Sequence, residues 1–137
     1  MRFTEHEMTT ALQGAVRAGL AEDPDEAKAA WEELDRFTRF QTLTLIGDQV
    51  LPVLVGLPDV TVEPGTRAEY DDETVASVAG PLLAAEWDRS QGDGSWDAQP
   101  AEDRDAYLDH RVGLVQEVLS HLPPRQDPDA LIVPDHL

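Results

Sequence analysis

Four histidines, His6, His110, His121 and His136, stand among 28 aspartates and glutamates, the side-chain types that bind metals or move protons. A helix can offer two ligands only from one face, at i and i+3 or i+4. Glu117 and His121 meet that spacing, and His110 lies on the same side seven residues earlier. At about 100° per residue, however, all three point away from the stripe Leu108–Val112–Val115–Leu119. If the stripe faces the core, these groups face water, and a solvated polar face is expected in place of a metal centre. A di-metal bundle would also need an inward Glu-x-x-His on two helices, and that motif is absent.

Other constellations fail on spacing. The loop "DRSQGDGSWD" (Asp88 to Asp97) has the acid and glycine content of a calcium site. An EF-hand loop needs an acid or amide at its fifth position and glycine at its sixth. Counting from Asp88 puts Gly92 and Asp93 there, and counting from Asp93 puts Ala98 sixth. Ser90 and Ser95 lack a Gly-x-Ser-x-Gly elbow, and there is no P-loop and no dinucleotide-binding glycine pattern. The acidic run "EYDDE" (Glu69 to Glu73) is explained by a helix N-terminus, where negative charge offsets the helix dipole. With no cysteine, thiolate catalysis, disulfides and sulfur-ligated zinc are excluded. No catalytic, cofactor-binding or metal residue is assigned, and the expectation leans away from an enzyme.

The elements that would position any site read as helices. Thr4 and Glu7 form a capping box ahead of Met8, Leu12, Val16 and Leu20, an amphipathic helix of about four turns. Asp23-Pro24 opens a second helix, predicted to run over 24–46 as one long element whose second half is central to the core. Trp31, Phe37 and Phe40 are expected in that core. Gly47 and Asp48 predict a stop and a new start, with a short buried helix in which Pro52 sits in the first turn. The stretch around Val60 and Val62 is expected as an extended loop. A fourth helix starts at Asp71–Glu73, with a kink or break at Gly80-Pro81. A long mobile loop over 88–103 precedes a last helix that begins near Pro100 or Ala101 and stops at Pro123-Pro124. The expected fold is all-α: one domain over 1–137, a compact bundle of four main helices plus a short buried one, with an extended C-terminal tail over 123–137 packing on it.

Charge and apolar surplus then bound the function. Ten basic residues against 28 acidic ones give −18, a surface that repels nucleic acid and anionic membrane and attracts basic proteins or cations. The alternative is solubility alone. The opening "MRFTEHEMTT" lacks the layout of a secretory signal, and no apolar run is long enough to cross a membrane, so a cytoplasmic protein is expected. Two apolar features lack a core explanation. Trp96 sits in a glycine- and aspartate-rich loop, either as an interface contact or folded back as a lid. The ending "DPDALIVPDHL" sets Leu131, Ile132 and Val133 behind a stiff proline-bearing spacer, a tethered plug whose burial is worth about 4–8 kcal/mol before ordering entropy. Its target is the chain's own bundle, near the Val60–Val62 segment, or a second subunit, or an external partner.

The composition and the closing "DPDALIVPDHL" resemble small acidic helical proteins of actinobacterial type that have no assigned function. The resemblance spans the chain but carries no functional motif and implies no site residues. The leading expectation is a non-catalytic, acidic protein–protein interaction module, self-associating as a homodimer, acting through Trp96, Leu131, Ile132, Val133 and its charged surface. The alternative is an acidic inhibitor or immunity-type protein that neutralises a basic partner. A metal-binding enzyme using Glu117, His121 or the acidic loop stands third.

Overall fold

The structure is a computed structural model that describes residues 3–58 and 65–123. It is all-helical among these residues, with α1 Glu5–Ala18, α2 Pro24–Glu33, α3 Arg36–Gly56, α4 Asp72–Gln91 and α5 Ala101–Leu119. The C-terminal tail beyond Pro123 and the Val60–Val62 segment lie outside the described residues.

Helix starts follow the local chemistry. The Glu7 amide donates to the Thr4 hydroxyl (3.1 Å) and the Thr4 amide to the Glu7 carboxylate (2.9 Å), which satisfies two orphan donors reciprocally. Asp23 accepts from the Asp25 amide ahead of Pro24, and Asp71 accepts from the Thr74 amide at 2.7 Å.

The expected helix over 24–46 is two helices. Asp35 accepts from the Thr38 amide at 2.7 Å, and this cap starts α3 afresh while Leu34 takes an extended conformation. Arg39 then folds back, donating to the Trp31 and Glu32 carbonyls, both at 2.9 Å, so the guanidinium satisfies the last carbonyls of α2. Its charge also lies 5.3 Å from the Trp31 ring centroid, as does that of Arg17 from α1, and Trp31 is buried between elements.

The separate short helix expected after Gly47 is instead the second half of α3, which runs unbroken through Gly47, Asp48 and Pro52. Gly47 is buried, and a Cβ there would meet a Leu12 methyl at 3.3 Å. It is small so that α1 and α3 can approach, and it does not end a helix. Gly80-Pro81 likewise does not end α4.

One cluster of buried side chains forms the core: Ala11 and Leu12 of α1, Val50, Val53 and Leu54 of α3 with Leu57, Val75 and Ala79 of α4, and Val112, Val115, Val118 and Leu119 of α5 with Leu122. α3 packs on α1, α4 and α5, and α2 packs on α1. Arg111 is the buried charge among them, with its guanidinium 3.1 Å from the Glu86 carboxylate of α4.

Candidate interaction surface

α3 carries apolar residues on most of its sides, and the bundle leaves some of them uncovered. Its inner face, Gly47, Val50, Val53 and Leu54, is buried. On its outer face Phe37 is 67% exposed, Phe40 66%, Leu45 63% and Val55 56%. Taking about 100° per residue, Phe37, Thr44, Asp48 and Val55 fall on one line, with Phe40 to one side and Leu45 and the exposed Pro52 to the other. Scattered exposed leucines need no explanation. Two phenylalanines near the start of the helix, with Leu45, Pro52 and Val55 farther along it and Thr44 and Asp48 between them, make an interrupted apolar strip, a candidate contact site.

The expectation that core packing accounts for Phe37 and Phe40 is therefore corrected. Asp35 restarts the helix, and the phase of α3 is set by its second half, where Val50, Val53 and Leu54 enter the core. That phase turns Phe37 to solvent, while Phe40, in line with Gly47 and Leu54, is exposed because it stands before Leu43, the first residue of α3 packed on the core.

Charge singles out the same helix. α3 carries Arg36 and Arg39 against Asp48 alone, whereas every other helix has more acids than bases. α2 sets Asp25, Glu26, Glu32 and Glu33 against Lys28, and α5 sets five acids against Arg104 and Arg111. The exposed apolar strip lies on the least acidic element of a chain with net charge −18.

Trp96 is placed elsewhere, and it is covered. Gly92 and Gly94, at φ +110° and +79°, turn the chain back after α4 through backbone conformations that side-chain-bearing residues resist. The Asp88 carboxylate accepts from the Trp96 amide at 2.9 Å. The indole, only 9% exposed, then packs against Trp87 and Tyr107, with centroids 5.6 and 6.3 Å away, and Trp87 lies 4.9 Å from Tyr107. The exposure on which its role as a contact residue depends is missing; it closes the α4–α5 end of the bundle as a lid. Asp88, a candidate cation ligand by composition, is occupied by this turn. Leu131, Ile132 and Val133 lie outside the described residues.

His6 and His110 are exposed, and His121 lies 3.3 Å from the Glu117 carboxylate, half-buried against α1. His136 lies outside the described residues. Among the described residues no three histidine or acidic side chains are grouped to hold a metal ion. Among the described residues, clefts of about 330 and 340 Å³ open on the surface. In the first, Gln116 donates to the Tyr70 carbonyl (2.8 Å) and to Asp72 (3.1 Å), bonds that tie α5 to the start of α4. The second lies between α1 and α2 beside His121. Among the described residues no helix is long and apolar enough to cross a membrane.

Comparison of the chain with protein-family models, with curated proteins and with solved structures returns no match, so the reading of this surface rests on its own geometry and charge.

Proposed function

We propose that the protein is a non-catalytic interaction module that self-associates as a homodimer through the outer face of α3. The observation that carries this reading is the coincidence of Phe37, Phe40, Leu45 and Val55, all more than half exposed, with the one helix that lacks an acidic excess. A second copy fits both features. Like-charged molecules approach best along the face where repulsion is least.

A closed dimer has a two-fold axis, and in the arrangement proposed here that axis crosses α3 at right angles, so the two copies of its outer face pack antiparallel. That sets the two phenylalanines of one copy against Pro52 and Val55 of the other, and brings Gln41, Thr44 and Asp48 together at the middle. Burying four such side chains from each copy contributes about 8–16 kcal/mol, against an association cost of about 4–15 kcal/mol. The two ranges overlap, so the dimer is a weak one that forms only at high protein concentration. Light scattering at protein concentrations up to about 1 mM should therefore show growth from monomer to dimer, abolished by Phe37→Asp with Phe40→Asp.

A second reading rests on the acidic excess of α2, α4 and α5, which suits an inhibitor of a basic protein. Salt separates the two. Added salt screens the mutual repulsion of two acidic copies and strengthens the dimer, whereas a charge-driven complex with a basic partner weakens.

A further inference from the structure

The cleft between α1 and α2 departs from the acidic character of most of the surface. It is lined by apolar groups, Ala21, Pro24 and the buried Ala27 among them, and by two cations, Arg17 and Lys28, against one acid, Glu22. In a chain with 28 acids and ten bases, a cleft with more cations than anions is exceptional. Lys28 is also the chain's single lysine. Arg17 is held in place by stacking on Trp31. At one end His121 lines the cleft, where its ring packs so closely on Gly14 that a Cβ there would lie 3.0 Å from the His121 Cβ.

His121 is two residues before Pro123, where the described chain ends, so the C-terminal segment starts at the wall of this cleft. Residues 124–130 separate Pro123 from Leu131, and eight steps of extended chain span at most about 29 Å. His121, on the wall of the cleft, is two residues from Pro123, which puts the cleft within that reach. The segment's chemistry matches the lining. Leu131, Ile132 and Val133 are its central apolar run, and Asp127, Asp129 and Asp135 flank them. Aliphatic side chains suit Ala21, Pro24 and Ala27, and the flanking aspartates suit Arg17 and Lys28.

We infer that the cleft between α1 and α2 is the docking site for the chain's own C-terminal segment, with Leu131–Val133 on its apolar lining and the flanking aspartates beside Arg17 and Lys28. This site is separate from the α3 face and requires no second copy.

Carbodiimide coupling of the full chain tests it, because a zero-length link from the single lysine reports one location. The sample is an equimolar mixture of ¹⁵N-labelled and unlabelled Phe37→Asp/Phe40→Asp protein, so that self-association through α3 plays no part. The expected result is a link from Lys28 to an aspartate of the 126–137 peptide, with both peptides carrying the same isotope label. Lys28→Arg, which keeps the charge, removes the link. Leu131→Ser with Ile132→Ser, which adds no carboxylate, reduces it about tenfold and speeds amide exchange over residues 17–31 by a similar factor. The inference is overturned by absence of a link to 126–137, by a link only between differently labelled molecules, or by a yield unchanged in the Leu131/Ile132 variant. It is overturned equally if that variant exposes α3 amides and leaves 17–31 unaffected.

Discussion

At the scale of single residues, the polar groups that stand out are tied to structure. Arg111 is buried with Glu86, itself half exposed, as its partner. Glu86→Ala should cost about 1–2 kcal/mol, because it leaves a buried guanidinium with poorer compensation. Arg111→Met with Glu86→Ala should recover most of that loss, as thermal or urea unfolding of the three proteins would show. Asp35 and Asp71 are held below the usual carboxylate range. For Asp35 the first cause is the Thr38 amide donating to it, and for Asp71 it is its bonds to Thr74. A depressed folded pKa means the cap stabilises fully above the unfolded pKa, about 3.9, and is lost as pH falls through the lower folded value. Asp35→Ala and Asp71→Ala should each lower the unfolding midpoint at pH 7, and the gap from wild type should close as pH drops from about 5 toward 2. A gap that persists in acid would mean that the charge is not what caps these helices.

At the scale of elements, what was legible in the sequence was whatever local chemistry decides. The Thr4–Glu7 box, the Asp23-Pro24 start, the Asp71 start and the apolar stripe of α5 all appear where residue types require them. The break at Leu34–Asp35 was not legible from periodicity, because apolar residues continue at helical spacing across it. The cap signal was nonetheless present as Asp35 three residues before Thr38, and Arg39 completes it by bonding α2's carbonyls. Gly47 and Asp48 misled for the opposite reason: a glycine commonly ends a helix and an aspartate commonly caps the next, and here both, with Pro52, are accommodated inside a helix whose packing outweighs local preference. The outer face of α3 was hidden because a helix apolar on most of its sides does not reveal which of them its neighbours cover. Trp96 was legible only as a choice between display and burial. Its burial on Trp87 and Tyr107 predicts that Trp96→Ala destabilises by about 3–5 kcal/mol, measured by denaturant unfolding, and leaves the light-scattering dimer intact in protein that remains folded. The reverse pattern would return Trp96 to the contact surface.

For the whole molecule, the physical problem is how a chain with net charge −18 associates with anything like itself. The answer proposed here is segregation. Acids crowd α2, α4 and α5, the core draws on α1, α3, α4 and α5, and the outer side of α3 keeps apolar groups on a helix with two arginines and one aspartate. The most direct test is an isotope-filtered NOE experiment on a mixture of ¹³C-labelled and unlabelled protein at about 1 mM and raised salt. The account predicts contacts between molecules from the Phe37 and Phe40 rings to the Val55 methyls and Pro52 ring protons, growing with salt. It is contradicted by a sample that stays monomeric under those conditions, or by a dimer in which these rings touch nothing across the interface.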